Sequence, residues 1–368
     1  MNLSILGWCD LFAAHFKQYE GKDLSPARVA QEHRESYIIF GEDGEFAAEV
    51  SGKMRHEAAS RAGFPAVGDW VAVALRQDEK RATIHAVLPR HSSFSRKAVL
   101  AGGKKDSGGK TDEQVLAANI DTVFLISGLD QDFNLRRIER YLTIAWDSGA
   151  SPVIVLNKTD LREDLPSCIQ EVAAVASGVP VHPISARDNR GLEELGRYLR
   201  PGKTVAFLGS SGVGKTTLIN TLCGEERGRV QDVREDDSRG RHTTTSRELM
   251  LLPGGALVID TPGLRGLEIW GDEDTLDQSF RDISDLAQNC RFADCTHQSE
   301  PGCAVQAALQ NGSLDPERYD NYLKLQKELM FLSRRREKGA LRRAEREWHK
   351  KVWRDYEDVK ELRKRGLA

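Results

Sequence analysis

The stretch KTVAFLGSSGVGKTTLIN, residues 203–220, decides the fold. An apolar run, TVAFL, leads into G-x-x-x-x-G-K-T across Gly209, Gly214, Lys215 and Thr216, and a helical pattern follows at once. Strand, Gly-rich loop, helix is the context in which this pattern cradles phosphate. The loop Gly209, Ser210, Ser211, Gly212, Val213, Gly214 can curl so that its N–H groups point inward, and the helix N-terminus adds partial positive charge. Lys215 is expected to neutralise the β- and γ-phosphates, and the Thr216 hydroxyl to meet Mg²⁺, with Thr217 beside it. A Gly-rich turn that binds nothing is the bland reading, and this context leaves it little room.

The phosphate loop does not separate ATP from GTP. VLNKTDL, residues 155–161, does, although it lies upstream of the phosphate loop. The tetrad Asn157, Lys158, Thr159, Asp160 follows the apolar run PVIVL, and ligands bind at the carboxyl ends of such strands. Asp160 can accept from guanine N1–H and the exocyclic amine. Adenine lacks that amine, and a site built on polar pairing rejects the wrong base by ~10⁴ or more. Asn157 is expected to face the guanine O6/N7 edge, and the stem of Lys158 to lie along the ring. After the next strand, ISA (Ile184, Ser185, Ala186) offers a backbone N–H to O6.

Downstream, RGRHTTTS (239–246) has a switch composition, and one of Thr243, Thr244 or Thr245 should close on Mg²⁺; Thr244 is favoured. DTPG ends the strand ALVID: Asp260 would hold Mg²⁺ through water, and the Gly263 N–H would meet the γ-phosphate. Leu264 follows, where a glutamine that orients the attacking water would be useful. Leucine cannot do this, so unaided hydrolysis should be slow. His242 is the best substitute in the chain as the catalytic, water-positioning residue; it could equally pack or touch RNA.

From Ile120 onward, apolar strand runs alternate with helical periods, which predicts a mostly parallel sheet covered on both faces. Upstream, from Tyr37, short β-rich runs broken by Gly and Asp predict a small barrel of the oligonucleotide-binding (OB) type. The chain therefore reads as multi-domain: an N-terminal helical extension (1–34), an OB-type β-barrel (35–98), a flexible Gly/Lys-rich linker (99–113), an α/β P-loop GTPase-type domain with permuted motif order (114–273), and a C-terminal α-helical zinc domain with a basic helical tail (274–368).

The zinc expectation rests on CRFADCTHQSEPGC, which spaces Cys290, Cys295, His297 and Cys303 as C-x₄-C-x-H-x₅-C. Such ligands suit tetrahedral Zn²⁺, and four of them leave no open position, so the site should be structural. A metal also explains clustered thiols better than disulfides do in a cytoplasmic chain. No run of 18 apolar residues exists, which excludes a spanning helix. The net charge of −3 hides an asymmetry: residues 318–368 carry 17 Lys+Arg against 9 Asp+Glu, a local +8 that leaves −11 on the rest. A basic tail on an acidic body points to nucleic acid, or to a solvated helix.

In cyclic order these motifs are those of a guanine-nucleotide fold, but base reading comes first. The chain resembles the circularly permuted GTPases, and most closely the bacterial ribosome small-subunit-dependent GTPase A family. DEQVLAANIDTVFLIS (112–127), NKTD, GSSGVGKTTLIN (209–220), GRHTTT (240–245), IDTPG and the Cys/His cluster carry the resemblance, over residues 35 to 340. The N-terminal extension and the tail past Lys338 depart from it. The resemblance implies GTP/GDP, Mg²⁺ and one structural Zn²⁺ as cofactors. It also implies a cytoplasmic monomer that binds the small (30S) ribosomal subunit and its 16S rRNA, with no membrane and no DNA partner. The subunit would stimulate hydrolysis of GTP late in its own maturation. Leu264 keeps a second reading open, a GTP-gated rRNA-binding module with negligible hydrolysis of its own. In the permuted order DTPG leads straight into the zinc domain, so a movement of the switch could pull on that domain.

Overall fold

The computed structural model describes residues 2–33, 36–58, 60–99, 111–224, 247–260, 273–331 and 333–334. The chain opens with α1 (Asp10–Phe16), then β1 (Ser25–Glu32), β2 (Tyr37–Gly41), β3 (Gly44–Val50), α2 (Gly52–Glu57), β4 (Trp70–Arg76) and β5 (Arg81–Val87). The strands run β1-β2-β3-β5-β4, and β1 pairs again with β4, Ser25 opposite Val73 and Arg28 opposite Trp70, which closes a five-stranded barrel. Alternate residues fill it: Ala27 and Val29, Tyr37 and Ile39, Phe46 and Ala48, Val71 and Val73, Ala82 and Ile84 are all buried. That is the period-2 pattern of a strand with one face in a core.

The barrel begins earlier than the sequence suggests. Residues 1–34 are not a helical extension throughout: only Asp10–Phe16 is α-helical, and Ser25–Glu32 is the barrel's first strand. The physical reason is that this strand is buried on both faces, Ala27 and Val29 toward the barrel and Arg28, 1% exposed, on the other, and a buried arginine reads in sequence as a solvent residue. Its guanidinium donates to the carbonyls of Gly68 (3.2 Å), Asn119 (3.1 Å) and Leu6, and to Thr204 Oγ1 (2.8 Å). Hydrogen bonding on this scale is what lets a charge stay buried. The segment before the strand packs too. Trp8 meets Trp70 edge-on at 4.7 Å between centroids, and Phe12 lies 5.8 Å from Trp70. Aromatic pairs of this kind contribute about 0.5–1.5 kcal/mol each beyond their burial.

After the barrel, β6 (Ser93–Val99) and β7 (Thr111–Ala118) form a separate antiparallel ribbon, with Ser93 opposite Ala118 and Val99 opposite Thr111. The expected linker 99–113 thus has strand at both ends; residues 100–110 lie outside the described residues. Next come β8 (Thr122–Gly128), α3 (Leu135–Ser148), β9 (Ser151–Asn157), α4 (Leu165–Val175), β10 (Val181–Pro183), β11 (Thr204–Gly209), α5 (Lys215–Cys223), β12 (Glu248–Leu251) and β13 (Leu257–Asp260). The strand order is β10-β9-β8-β11-β13-β12, parallel except for β12. The strand that feeds the phosphate loop, β11, follows β8, β9 and β10 in the chain yet lies between β8 and β13 in space. Successive residues of β8 serve opposite faces: Val123 and Leu125 join one core with α3 and α4, whereas Phe124 and Ile126 join another with α5. A doubly covered parallel sheet requires just such continuous apolar strands.

One strand joins the two units. Gln31 on β1 lies opposite Glu248 on β12, so barrel and sheet form a single 11-stranded sheet. The C-terminal part comprises α6 (Glu273–Ser279), α7 (Arg281–Ala287), α8 (Ala304–Gln310) and α9 (316–331). Leu276, Phe280, Ile283, Leu325 and Leu329 share a core with Ile138 and Leu142 of α3. A buried ionic network reinforces this seam. Glu139 of α3, 0% exposed, accepts from Arg136 and Arg318, each at 2.7 Å, and from Asn321; Arg318 also grips Asp282. No helix among the described residues is long and apolar enough to cross a membrane.

Candidate nucleotide site and metal centre

β11 ends at Gly209, and the loop turns back through Gly212 (φ +82°) and Gly214 (φ +94°) into α5. Two of its glycines are fixed by close approach. A Cβ on Gly209 would lie 2.6 Å from the Ile126 carbonyl, and one on Gly214 would lie 2.3 Å from Asn157 Nδ2. Lys215, first residue of α5, donates to the Gly209 carbonyl at 2.8 Å and to that of Ser210, so its ammonium lies along the loop. Thr216 is exposed in the first helical turn, where the N–H groups have no intrahelical acceptor.

The tetrad Asn157, Lys158, Thr159, Asp160 begins at the last residue of β9. Asp160 lies in a 3₁₀ turn, Thr159–Leu161, and its carboxylate accepts from the Ser185 hydroxyl at 2.7 Å. That hydrogen bond is the main reason its carboxyl is held below the usual range. Lys158 adopts φ +66° and pairs with Asp130. Burial, the largest single influence on Asp130, works against its ionisation, but the hydrogen bond and charge of Lys158 together with backbone N–H donors, that of Asp132 first, lower the carboxyl. A cavity of about 200 Å³ opens between Asn157, Lys158, Asp160, Ala186, Gly214 and Thr217, with Leu161 and Arg187 at its edge. The tetrad, the Ser-Ala turn and the phosphate loop therefore face one space.

Asp260 ends β13, the strand beside β11. Burial pushes its carboxyl up, Lys215 draws it down, and Glu248, opposite it on β12, pushes it up again. In the C-terminal part, Cys290, Cys295, His297 and Cys303 bring their ligand atoms within 4.8 Å of one another. Cys290 Sγ lies 3.9 Å from Cys303 Sγ, and His297 Nδ1 is 3.5 Å from both sulfurs. A tetrahedron with Zn–S of about 2.3 Å and Zn–N of about 2.0 Å has edges near 3.8 and 3.5 Å, so the donor set fits Zn²⁺. The His297 carbonyl accepts from Gln306 (2.6 Å) and from the Tyr319 hydroxyl (2.9 Å), which ties the cluster to α8 and α9.

The RsgA GTPase family model matches residues 87–270. The small ribosomal subunit biogenesis GTPase RsgA of Opitutus terrae is 50% identical over 362 residues, covering 96% of each chain. The chain belongs to the RsgA GTPase family. A second relative, RsgA 2 of Lactiplantibacillus plantarum, is 48% identical and covers 90% of each chain. Among solved structures, YjeQ from Thermotoga maritima superposes with a TM-score of 0.61 at 28% identity, over 83% of this chain and 99% of that one. YloQ, a circularly permuted GTPase, superposes at 0.59 with 23% identity, over 85% and 97%, which speaks to fold. As an RsgA-family GTPase, the protein carries its guanine-nucleotide motifs on a permuted sheet, as the resemblance implied.

Within this RsgA-type site, Asn157 and the Ser-Ala turn also bind to each other. Asn157 is 3% exposed; one Nδ2 hydrogen donates to the Val213 carbonyl at 2.8 Å and Oδ1 accepts from Ala186 N–H at 3.0 Å, which leaves the amide a second N–H on the cavity side. It is a clamp between the three loops. The expected N–H of ISA is likewise engaged, since Ile184 donates to Leu156, Ser185 to Arg190 and Ala186 to Asn157. Asp130 and Asp132 escaped the sequence reading. Asp132 accepts from the Ser210 hydroxyl and pairs with Arg137, and Arg137 also reaches Ser210 at 3.2 Å. Neither acid belongs to a spaced motif, so only the fold reveals them. His242, Thr243, Thr244, Thr245, Gly263 and Leu264 lie outside the described residues, as does the tail from 335 onward.

Proposed function

We propose that this GTPase binds the small ribosomal subunit through its 16S rRNA, and that the subunit stimulates hydrolysis of GTP to GDP and phosphate late in subunit maturation. The observation that carries the nucleotide part is the shared cavity between Asp160, held by Ser185, and Gly214–Thr217 of the phosphate loop. An acceptor-only carboxylate at its wall selects guanine's two adjacent donors. The loop N–H groups of Gly209–Gly214 and Lys215 hold the phosphates. The Thr216 hydroxyl and the Asp260 carboxylate, on neighbouring elements, are the hard oxygens that would hold Mg²⁺, which when bound neutralises the phosphate oxygens. The sequence assigns water positioning to His242 and the switch contact to Thr244, with Gly263 on the γ-phosphate.

The partner part is supported by the names of the relatives, which are small ribosomal subunit biogenesis GTPases. A cytoplasmic monomer with one structural Zn²⁺, no DNA partner and no membrane partner completes the reading. The test is GTP turnover titrated with purified 30S particles. A rise in kcat that saturates with 30S is expected, and it should collapse in His242→Ala. Particles that neither bind nor stimulate would overturn the partner, and an unchanged stimulated rate in His242→Ala would remove that residue from the mechanism.

A further inference from the structure

The barrel reaches the nucleotide site by a short and specific route. Gln31 on β1 lies opposite Glu248 on β12, and Glu248 lies opposite Asp260 on β13. Directly opposed residues of antiparallel strands project their side chains to the same face. Gln31, Glu248 and Asp260 therefore form one row, from the barrel wall to the carboxylate that ends β13. Gln31 Nε2 donates to Glu248 Oε1 at 2.9 Å. One residue along, Glu32 of the barrel pairs with Arg247 at 2.9 Å, with side chains only 23% and 17% exposed. Arg247 is the residue at which the segment carrying RGRHTTTS enters β12. Among the described residues Gln31–Glu248 is the single backbone register pair between β1 and β12, so these two side-chain contacts add directional fastening where the strands meet.

We infer that Gln31 and Glu32 are positioning residues for GTP hydrolysis: through Glu248 and Arg247 they fix β12, and hence Asp260, to the barrel, so that a ribosomal partner held by the barrel acts on the nucleotide site by this seam. The inference rests on the proposed function for the identity of the partner, but not for the coupling itself. A half-buried ion pair suits the task because its geometry is directional and its partners lie on different units. If the seam also couples the two binding events, their affinities change reciprocally, and the nucleotide then alters the barrel strand.

The experiment has two arms on the full-length protein. In the first, amide hydrogen exchange is compared with GDP and with a non-hydrolysable GTP analogue bound. In the wild type the nucleotide-dependent change should extend through β12 to β1; in Glu32→Gln and Gln31→Ala it should stop at β12. In the second, the ratio of 30S-stimulated to unstimulated kcat should fall about tenfold in these variants, with 30S affinity held within about twofold. The charge reversal Glu32→Arg/Arg247→Glu should restore the stimulated rate lost in Glu32→Arg alone, and the melting transition of each variant, measured beside the rate, separates coupling from a loss of stability. A β1 that never responds to nucleotide, or variants with native melting and full stimulation, would overturn the inference. Should 30S fail to stimulate the wild type while β1 still answers to nucleotide, the coupling stands and the partner assignment falls.

Discussion

On the proposed function, the specificity for guanine rests on Asp160 and its neighbour Ser185. The Asp160 carboxylate offers only acceptors, and Ser185 occupies one oxygen at 2.7 Å, leaving the group aimed rather than free to rotate. Replacing it by Asn puts a donor where guanine also has a donor. Asp160→Asn should therefore weaken GTP and GDP binding by at least about a hundredfold, and gain affinity for xanthine nucleotides, whose 2-oxygen accepts from the new amide. Competition of GTP, ITP and XTP against a fluorescent nucleotide checks this; an unchanged preference for guanine would mean that another group reads the base. Asn157 makes a contrasting case. Both ends of its amide are used inside the protein, so Asn157→Ala should open the Val213 and Ala186 contacts and cost about 1–3 kcal/mol for the buried groups left unpaired. The loss should appear as reduced stability and weaker binding of every nucleotide, GTP and ATP alike, rather than as a change of specificity.

At the scale of elements, the phosphate loop and its helix were legible because their constraints are local. Gly209 and Gly214 are required by approaches of 2.6 and 2.3 Å, and such requirements leave a spaced signature in the chain. Gly214→Ala should therefore abolish nucleotide binding, because the methyl would displace Asn157 and the position has φ +94°. Isothermal titration with GDP measures it. The zinc-type cluster was legible for the same reason, its four ligands falling within one short segment. β1 was not, because its buried Arg28 reads as a solvent residue until the carbonyls around it are known. Nor was the role of α3. Its Glu139 meets Arg318 and Asn321 across 179 and 182 residues of chain, and no local pattern announces such a partner. Glu139→Gln removes the charge from a site that is 0% exposed and leaves Asp282 as the remaining charged partner of Arg318 among the described residues, beside the Ser279 carbonyl. Breaking a buried pair from one side costs about 3–5 kcal/mol, so the melting transition that reports the α3 seam should fall by several degrees. A melting curve superimposable on the wild type would show the pair to be dispensable.

For the whole molecule, α3 joins the phosphate loop to the C-terminal part. Its first two turns do both: Arg137 touches Ser210 of the phosphate loop, and Arg136, Glu139 and Arg140 hold the C-terminal part. The Cys/His cluster lies at the far end of the same chain of contacts, since its His297 carbonyl is held by Tyr319 of α9, adjacent to Arg318. Metal should then stabilise the cluster and, through α9, the α3 seam. Binding of a structural Zn²⁺ is worth about 10–16 kcal/mol in small zinc domains, more than enough to order a segment with little apolar core of its own. Purified protein is expected to contain one zinc per chain, and Cys290→Ser/Cys295→Ser to lose it. In that variant, limited proteolysis should cut within residues 290–303, and exchange should rise along α8 and α9. Guanine nucleotide affinity should change far less, because the cavity is built from Asn157, Lys158, Asp160, Ala186, Gly214 and Thr217, all remote in sequence from the cluster. Absence of stoichiometric zinc, or zinc retained by the double variant, would remove metal from the account. A large loss of GDP affinity on demetallation would instead show that the α3 seam carries the effect into the phosphate loop.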